Sequence, residues 1–79
     1  MKITIRYFAV LKDQRGVGED ILENVGSTPK EVYGYLKNTY GLNFCQSKLK
    51  VAVNDEFAEW EIKLRDGDVL VYIPPVAGG

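Results

Sequence analysis

Apolar and polar positions alternate along three stretches of the chain and recur at helical spacing along a fourth. Over residues 2–8, Ile3, Ile5 and Tyr7 share one face, and Lys2, Thr4, Arg6 and Phe8 share the other. That period of two predicts a half-buried strand with Phe8 on its polar side. Residues 9–18, with Lys12-Asp13-Gln14-Arg15-Gly16 at their centre, read as a connection with room for a helical turn. Glu19 to Val25 is a weaker strand, Ile21, Glu23 and Val25 sharing one parity. A short link between neighbouring strands favours an antiparallel hairpin. Thr28-Pro29-Lys30-Glu31 then reads as a helix start: Thr28 as N-cap, Pro29 at the first helical position, Glu31 completing a capping box. Val32, Leu36 and Tyr40 follow at intervals of four, Tyr33 widens the stripe, and Gly41 suits the residue past the end. The spacing predicts a helix over 29–40, weakened slightly by Gly34. Residues 42–48 are irregular. Leu49 to Val53 alternates as a strand, Asn54-Asp55 marks a turn, and Phe57 to Ile62 has no clean period. Arg65-Asp66-Gly67-Asp68 is a further turn, leading into a strand over 68–73 that is apolar in both phases. A strand of that kind belongs in the centre of a sheet, with the helix on one side and something covering the other.

The order is therefore strand, strand, helix, strand, short pieces, strand. One helix can cover one face of a mixed sheet. If the first and last strands lie side by side they are parallel and central, and the hairpin partner and third strand flank them. This is an α+β ubiquitin-like β-grasp with four to five strands and one main helix. The predicted organisation is a single domain over 1–73 and a flexible tail over 74–79.

Composition narrows the function classes. With 79 residues there is room for one small domain, and 46% hydrophobic residues support a core. Cys45 is the only cysteine, so no disulfide forms within the chain, and a reducing, cytoplasmic setting is expected. No signal-peptide pattern and no run long enough to cross a bilayer occurs, so no membrane role is expected. The formal charge of −1 without a basic stripe argues against nucleic acid. The lack of histidine argues against a metal site or imidazole catalysis. Asp66 and Asp68 are better explained by a turn than by a metal, and Cys45 by a spare small residue than by a sulfur relay. Tyr33, Leu36, Tyr40, Trp60 and Tyr72 are read as core.

What remains is the ending, Pro74-Pro75-Val76-Ala77-Gly78-Gly79. Two prolines hold the backbone extended, and two glycines follow without side chains. One reading is an ordinary frayed terminus. The other is a carboxylate meant to enter a narrow cleft: six residues beyond Ile73 reach roughly 20 Å when extended. Phe8, Ile73 and Phe57 are candidates for an exposed apolar docking patch beside it, or else fill a satellite core.

Tyr7-Phe8-Ala9, Val51-Ala52-Val53-Asn54, Leu64-Arg65-Asp66-Gly67-Asp68-Val69 and the Pro-Pro-Val-Ala-Gly-Gly ending resemble the small subunit of molybdopterin synthase, the sulfur carrier of molybdenum cofactor synthesis. The resemblance spans essentially the whole chain; residues 42–48 have no distinctive match. It implies a carrier with no bound cofactor, whose catalytic groups belong to its partners. A ubiquitin-activating-like adenylyltransferase would use ATP to adenylate Gly79, and a sulfur donor protein would supply persulfide sulfur to give a thiocarboxylate. The tail, Pro74 to Gly78, would then enter the synthase large subunit, within a heterotetramer, and deliver the sulfur to a pterin precursor. The family also uses apolar residues at the positions of Phe8, Phe57 and Ile73 toward partners. Ile73-Pro74-Pro75 favours this branch over the related thiazole-pathway carrier; a ubiquitin-like protein modifier is the remaining alternative.

Overall fold

A computed structural model of the protein describes residues 1–75. Its elements in chain order are β1 (Lys2–Tyr7), α1 (Ala9–Arg15), β2 (Glu19–Glu23), α2 (Pro29–Tyr40), a 3-10 turn (Gln46–Lys48), β3 (Lys50–Val53), β4 (Glu56–Ala58) and β5 (Val69–Ile73). The strands form one mixed sheet in the order β2-β1-β5-β3-β4. β1 and β5 are parallel neighbours, Thr4 opposite Val69 and Tyr7 opposite Tyr72. β2 pairs antiparallel with β1, and β3 antiparallel with β5. The α+β β-grasp expected from the pattern is the fold observed, with the first and last strands at its centre.

The helix α2 forms where its signals lie. Thr28 Oγ1 accepts from the Glu31 amide at 3.2 Å, Pro29 opens the helix, and Gly41 closes it at φ 73° with its N–H on the Lys37 carbonyl. The capping box is displaced by one residue: the Glu31 carboxylate accepts from the amide and hydroxyl of Ser27 rather than from the Thr28 amide. Those bonds, the backbone N–H first, hold the Glu31 carboxyl below its ordinary range. Gly26 permits this close approach. Its φ is +148°, and a Cβ there would fall 2.9 Å from the Glu31 Cβ.

Val32, Tyr33 and Leu36 of α2 pack on Ile3, Ile5 and Tyr7 of β1, Leu70 and Tyr72 of β5 and Val51 of β3. Three of the largest buried side chains are tyrosines, and each hydroxyl is satisfied. Tyr7 donates to Asp20, Tyr33 to the Phe44 carbonyl and Tyr72 to the Pro29 carbonyl. Trp60 stacks on Tyr72 at 5.5 Å and meets the Tyr33 ring edge-on at 5.8 Å; of the residues read as core, Tyr33, Leu36 and Tyr72 are fully buried, while Tyr40 and Trp60 are partly buried and pack against them. Asp66-Gly67-Asp68 is a turn that ties the start of β1 to the approach of β5. Asp66 accepts from the Lys2 amide, Gly67 donates to the Lys2 carbonyl, and Asp68 accepts from the Arg65 amide and the Asn54 amide group.

Three expectations need correction. The connection after β1 holds a helix, α1, whose Leu11 is fully buried in the same core. The aperiodic stretch after Val53 contains a short strand, β4, which pairs with β3. The second face of β5 is not covered by another element of the described residues. Only Leu70 and Tyr72 face the helices, while Val69, Val71 and Ile73 lie half-buried on an open face.

Gly34 lies inside α2 on an exposed face, and a Cβ there meets nothing within 4 Å. Gly34→Ala is therefore expected to stabilise the fold by about 1 kcal/mol, by removing backbone freedom from the unfolded chain. For a domain of this size that raises the thermal midpoint by about 4–8 °C, which calorimetry would read directly.

Candidate functional site

The open face of the sheet is built by strand parity. On β1, Thr4 and Arg6 point away from the helices; on β5, Val69, Val71 and Ile73 do; on β3, Lys50 and Ala52. Register then lines them up across the sheet. Arg6 lies opposite Val71, Val71 opposite Ala52, and Ala52 opposite Phe57. Phe57 is 75% exposed and Phe8 50% exposed. Phe8, Phe57 and Ile73, singled out from the sequence, are brought together around one hollow of about 250 Å³ that Arg6, Ala52, Asp55 and Val71 complete. The Lys50 ammonium lies 5.7 Å from the centre of the Phe57 ring.

A second hollow opens on the other side of Phe8. It has a volume of about 620 Å³ and is lined by Phe8, Ala9, Val10, Phe44, Ile73, Pro74 and Pro75. Phe8 and Ile73 belong to both hollows and separate them. Pro74 is buried and Pro75 exposed, and both line this second hollow where the chain leaves the centre of the sheet. The remaining tail candidates, Val76, Ala77, Gly78 and Gly79, lie outside the described residues.

Several residues around this exit were not singled out from the sequence. Val10 and Phe44 sit in stretches read as connection and irregular, and neither has a periodic neighbour to reveal its side. Ile21, 61% exposed, extends the open face beyond Thr4, its partner in register; its parity was visible, but not that this parity pointed outward. Charge around the face is sparse and solvated. Arg6 pairs with Glu19 at 3.4 Å, both side chains well exposed, which contributes little.

Among the described residues, no cluster of three or more His, Cys, Asp or Glu is arranged to hold a metal. Cys45 is exposed, and its Sγ lies 3.1 Å from the Ser47 hydroxyl. That hydrogen bond, with lesser help from the Ser47 and Lys48 amides, lowers the thiol pKa. Cys45 lines neither hollow. No helix among the described residues is long and apolar enough to cross a membrane. The described part of the site presents exposed apolar side chains around the end of β5.

Known proteins share this organisation. The chain is 29% identical over 80 residues to the molybdopterin synthase sulfur carrier subunit of Haemophilus influenzae, covering 98% of this chain and 99% of that protein. Subunits 1 and 2 of the molybdopterin-converting factor from Helicobacter pylori have been solved as a protein–protein complex. A chain of it superposes with a TM-score of 0.72 at 26% identity, both chains covered in full. SAMP1 from Haloferax volcanii superposes with a TM-score of 0.83 over the full length of both chains, at 20% identity, a likeness of fold alone. A family model matches residues 5–79, from the middle of β1 through both glycines of the ending, and so the chain belongs to the ThiS family.

Proposed function

We propose that the protein is the sulfur carrier subunit of a molybdopterin synthase, with Gly79 as the acceptor. A carboxylate is a poor acyl donor and stores no sulfur. An activating partner joins the Gly79 carboxylate to the AMP moiety of ATP, releasing pyrophosphate. A persulfide sulfur from a donor protein then displaces AMP, and reduction of the remaining sulfur–sulfur bond by a thiol leaves a thiocarboxylate. In the large subunit that sulfur attacks the pterin precursor, and water restores the Gly79 carboxylate. Gly79 carries no Cβ to crowd attack at its carbonyl carbon, and Gly78 lets the chain thread a passage too tight for side chains. Pro74 and Pro75 reduce the entropy lost when the tail is ordered in the partner.

The observation that carries the reading is the placement of Pro74-Pro75 at the end of a central strand, lining one of two hollows that share Phe8 and Ile73. The family match through Gly79 and the carrier subunit of nearly equal length support it. Incubation with ATP, an activating enzyme and a sulfur donor should give an intact mass in which one oxygen is exchanged for sulfur. No exchange, where a control carrier converts, counts decisively against the reading. Growth rescue of strains lacking the molybdenum or the thiazole pathway separates the two carrier branches. The modifier reading, favoured only by likeness of fold, requires lysine adducts in extract that vanish when Gly79 is deleted.

Phe8 then serves as an anchor for the partner rather than for the fold. Phe8→Lys is expected to weaken binding to the large subunit by tenfold or more, a cost of about 1.4 kcal/mol or above. The thermal midpoint should move by only a few degrees, because the ring is half in solvent already. Titration calorimetry and a thermal melt on the same sample decide the matter; a collapse of stability would assign Phe8 to the core instead.

A further inference from the structure

Four non-glycine residues among those described have positive φ: Ala9 at 49°, Asn24 at 55°, Asn54 at 52° and Asp55 at 70°. Asparagine and aspartate visit the left-handed region readily, because a short polar side chain can bond locally. Here the compensating bonds reach across the sheet: Asn54 Oδ1 accepts from the Val69 amide and its amide group donates to Asp68, and Asn24 accepts from the terminal amine. Ala9 has no such compensation. Its left-handed backbone is a cost that the surrounding structure must impose, and such outliers cluster where function needs a set geometry.

The imposition is visible on both sides. Tyr7 is fully buried, its hydroxyl on Asp20 and its amide on the Gly18 carbonyl. Leu11 is fully buried in the same core. Only three residues separate these anchors, and within them the chain must turn from a strand into α1. The Phe8 carbonyl accepts from the Leu11 and Lys12 amides, which fixes the start of the helix without any side-chain cap. The turn is made at Ala9. Phe8, on the opposite parity to Tyr7, is thereby held outside, where its ring stands between the two hollows at the root of the tail.

We propose that Ala9 is a positioning residue: its left-handed step sets Phe8 in the docking orientation before any partner arrives. This rests on the carrier reading above. Glycine would adopt the same φ with less strain but with a wider choice of neighbouring conformations, so Phe8 would lose its fixed exit. A branched residue would make the step far harder. Alanine is the residue that keeps the turn and restricts it.

Ala9→Gly separates positioning from stability. The variant should fold with a thermal midpoint close to the parent, since relief of strain offsets the added freedom of the unfolded chain. Side-chain coupling constants by NMR on the free protein should show one dominant Phe8 χ1 rotamer in the parent and averaging in Ala9→Gly. Binding to the synthase large subunit should weaken by about 3- to 10-fold, the cost of ordering a ring that was ordered before. In a Phe8→Ala background the same Ala9→Gly change should have no further effect. An unchanged Phe8 rotamer in Ala9→Gly, or equal weakening in both backgrounds, overturns the proposal. If the parent itself fails to bind the large subunit, the carrier reading falls, while the rotamer measurement still decides whether Ala9 sets Phe8.

Discussion

A protein lengthened by one leucine after Gly79 is expected to take up no sulfur while melting at the same temperature as the parent. In the carrier reading the reacting atom is the Gly79 carbonyl carbon, and an added residue converts that acid into an amide, which ATP-dependent activation cannot use. The new terminal carboxylate lies one residue farther out, about 3.8 Å along the chain, and carries a branched side chain next to the carbon under attack. Both changes act at the end of the tail. The buried side chains that hold the body together run from Ile3 to Pro74, five residues short of Gly79, so the addition has no reason to disturb them. Intact-mass analysis under converting conditions and a thermal melt test both halves of the statement. Full conversion of an untrimmed extended chain would refute the assignment of Gly79.

The second large effect is alkaline unfolding, which depends on the body and not on the tail. Tyr7, Tyr33 and Tyr72 are each at most 1% exposed. Burial disfavours the phenolate and raises all three above the ordinary value of 10; for Tyr7 the Asp20 carboxylate adds to the effect. In the unfolded chain these groups lose their protons near pH 10, whereas in the folded protein they keep them. Their contribution to stability is therefore complete below pH 10 and is lost as pH rises toward the raised values. Each group withholding a proton steepens the loss by up to about 1.4 kcal/mol per pH unit, hence up to about 4 kcal/mol per unit for three. A domain of ordinary stability, about 5–15 kcal/mol, should then unfold cooperatively within a few units above 10. Trp60, stacked on Tyr72, reports the unfolding by fluorescence, and tyrosinate absorbance reports the deprotonation. The fluorescence change should coincide with ionisation of these three buried tyrosines, the fraction of the five that ionises only on unfolding, and Tyr72→Phe should flatten the dependence by removing one group. Full tyrosine ionisation at pH 10 with the fluorescence still native would disprove the account. The acid side should be gentler. Glu31, held below its usual range mainly by the Ser27 amide, contributes stability that is present above that range and fades as pH falls, but it is fully exposed.

The parts of this fold that could be read from the chain are those whose local signals agree with their packing. α2 carries a cap, a proline, a stripe and a terminal glycine, each with its expected partner. β1 alternates because only one face of the sheet is covered. β5, apolar in both phases, was rightly read as central, yet its outer phase is apolar because it forms the open face around the tail's root. α1 was hidden: Leu11 is its only buried residue, no side chain caps it, and its entry turn is made by an alanine rather than a glycine. β4 is three residues long and places Phe57 in solvent, so no pattern announced it. At the candidate site the same division holds. Phe8 and Ile73 were legible from strand parity and Phe57 was suggested by the resemblance alone, whereas Val10 and Phe44 joined them only through the path of α1 and of the loop after α2.

The parallel pairing of Thr4 with Val69 has a consequence for how the protein is made. The central seam of the sheet joins residues sixty-five positions apart, so the body cannot close until β5, through Ile73, has left the ribosome. A product terminated before β5 would lack that seam along with the glycines. Such a product would remain an unfolded chain, open to clearance, rather than a folded body without its ending.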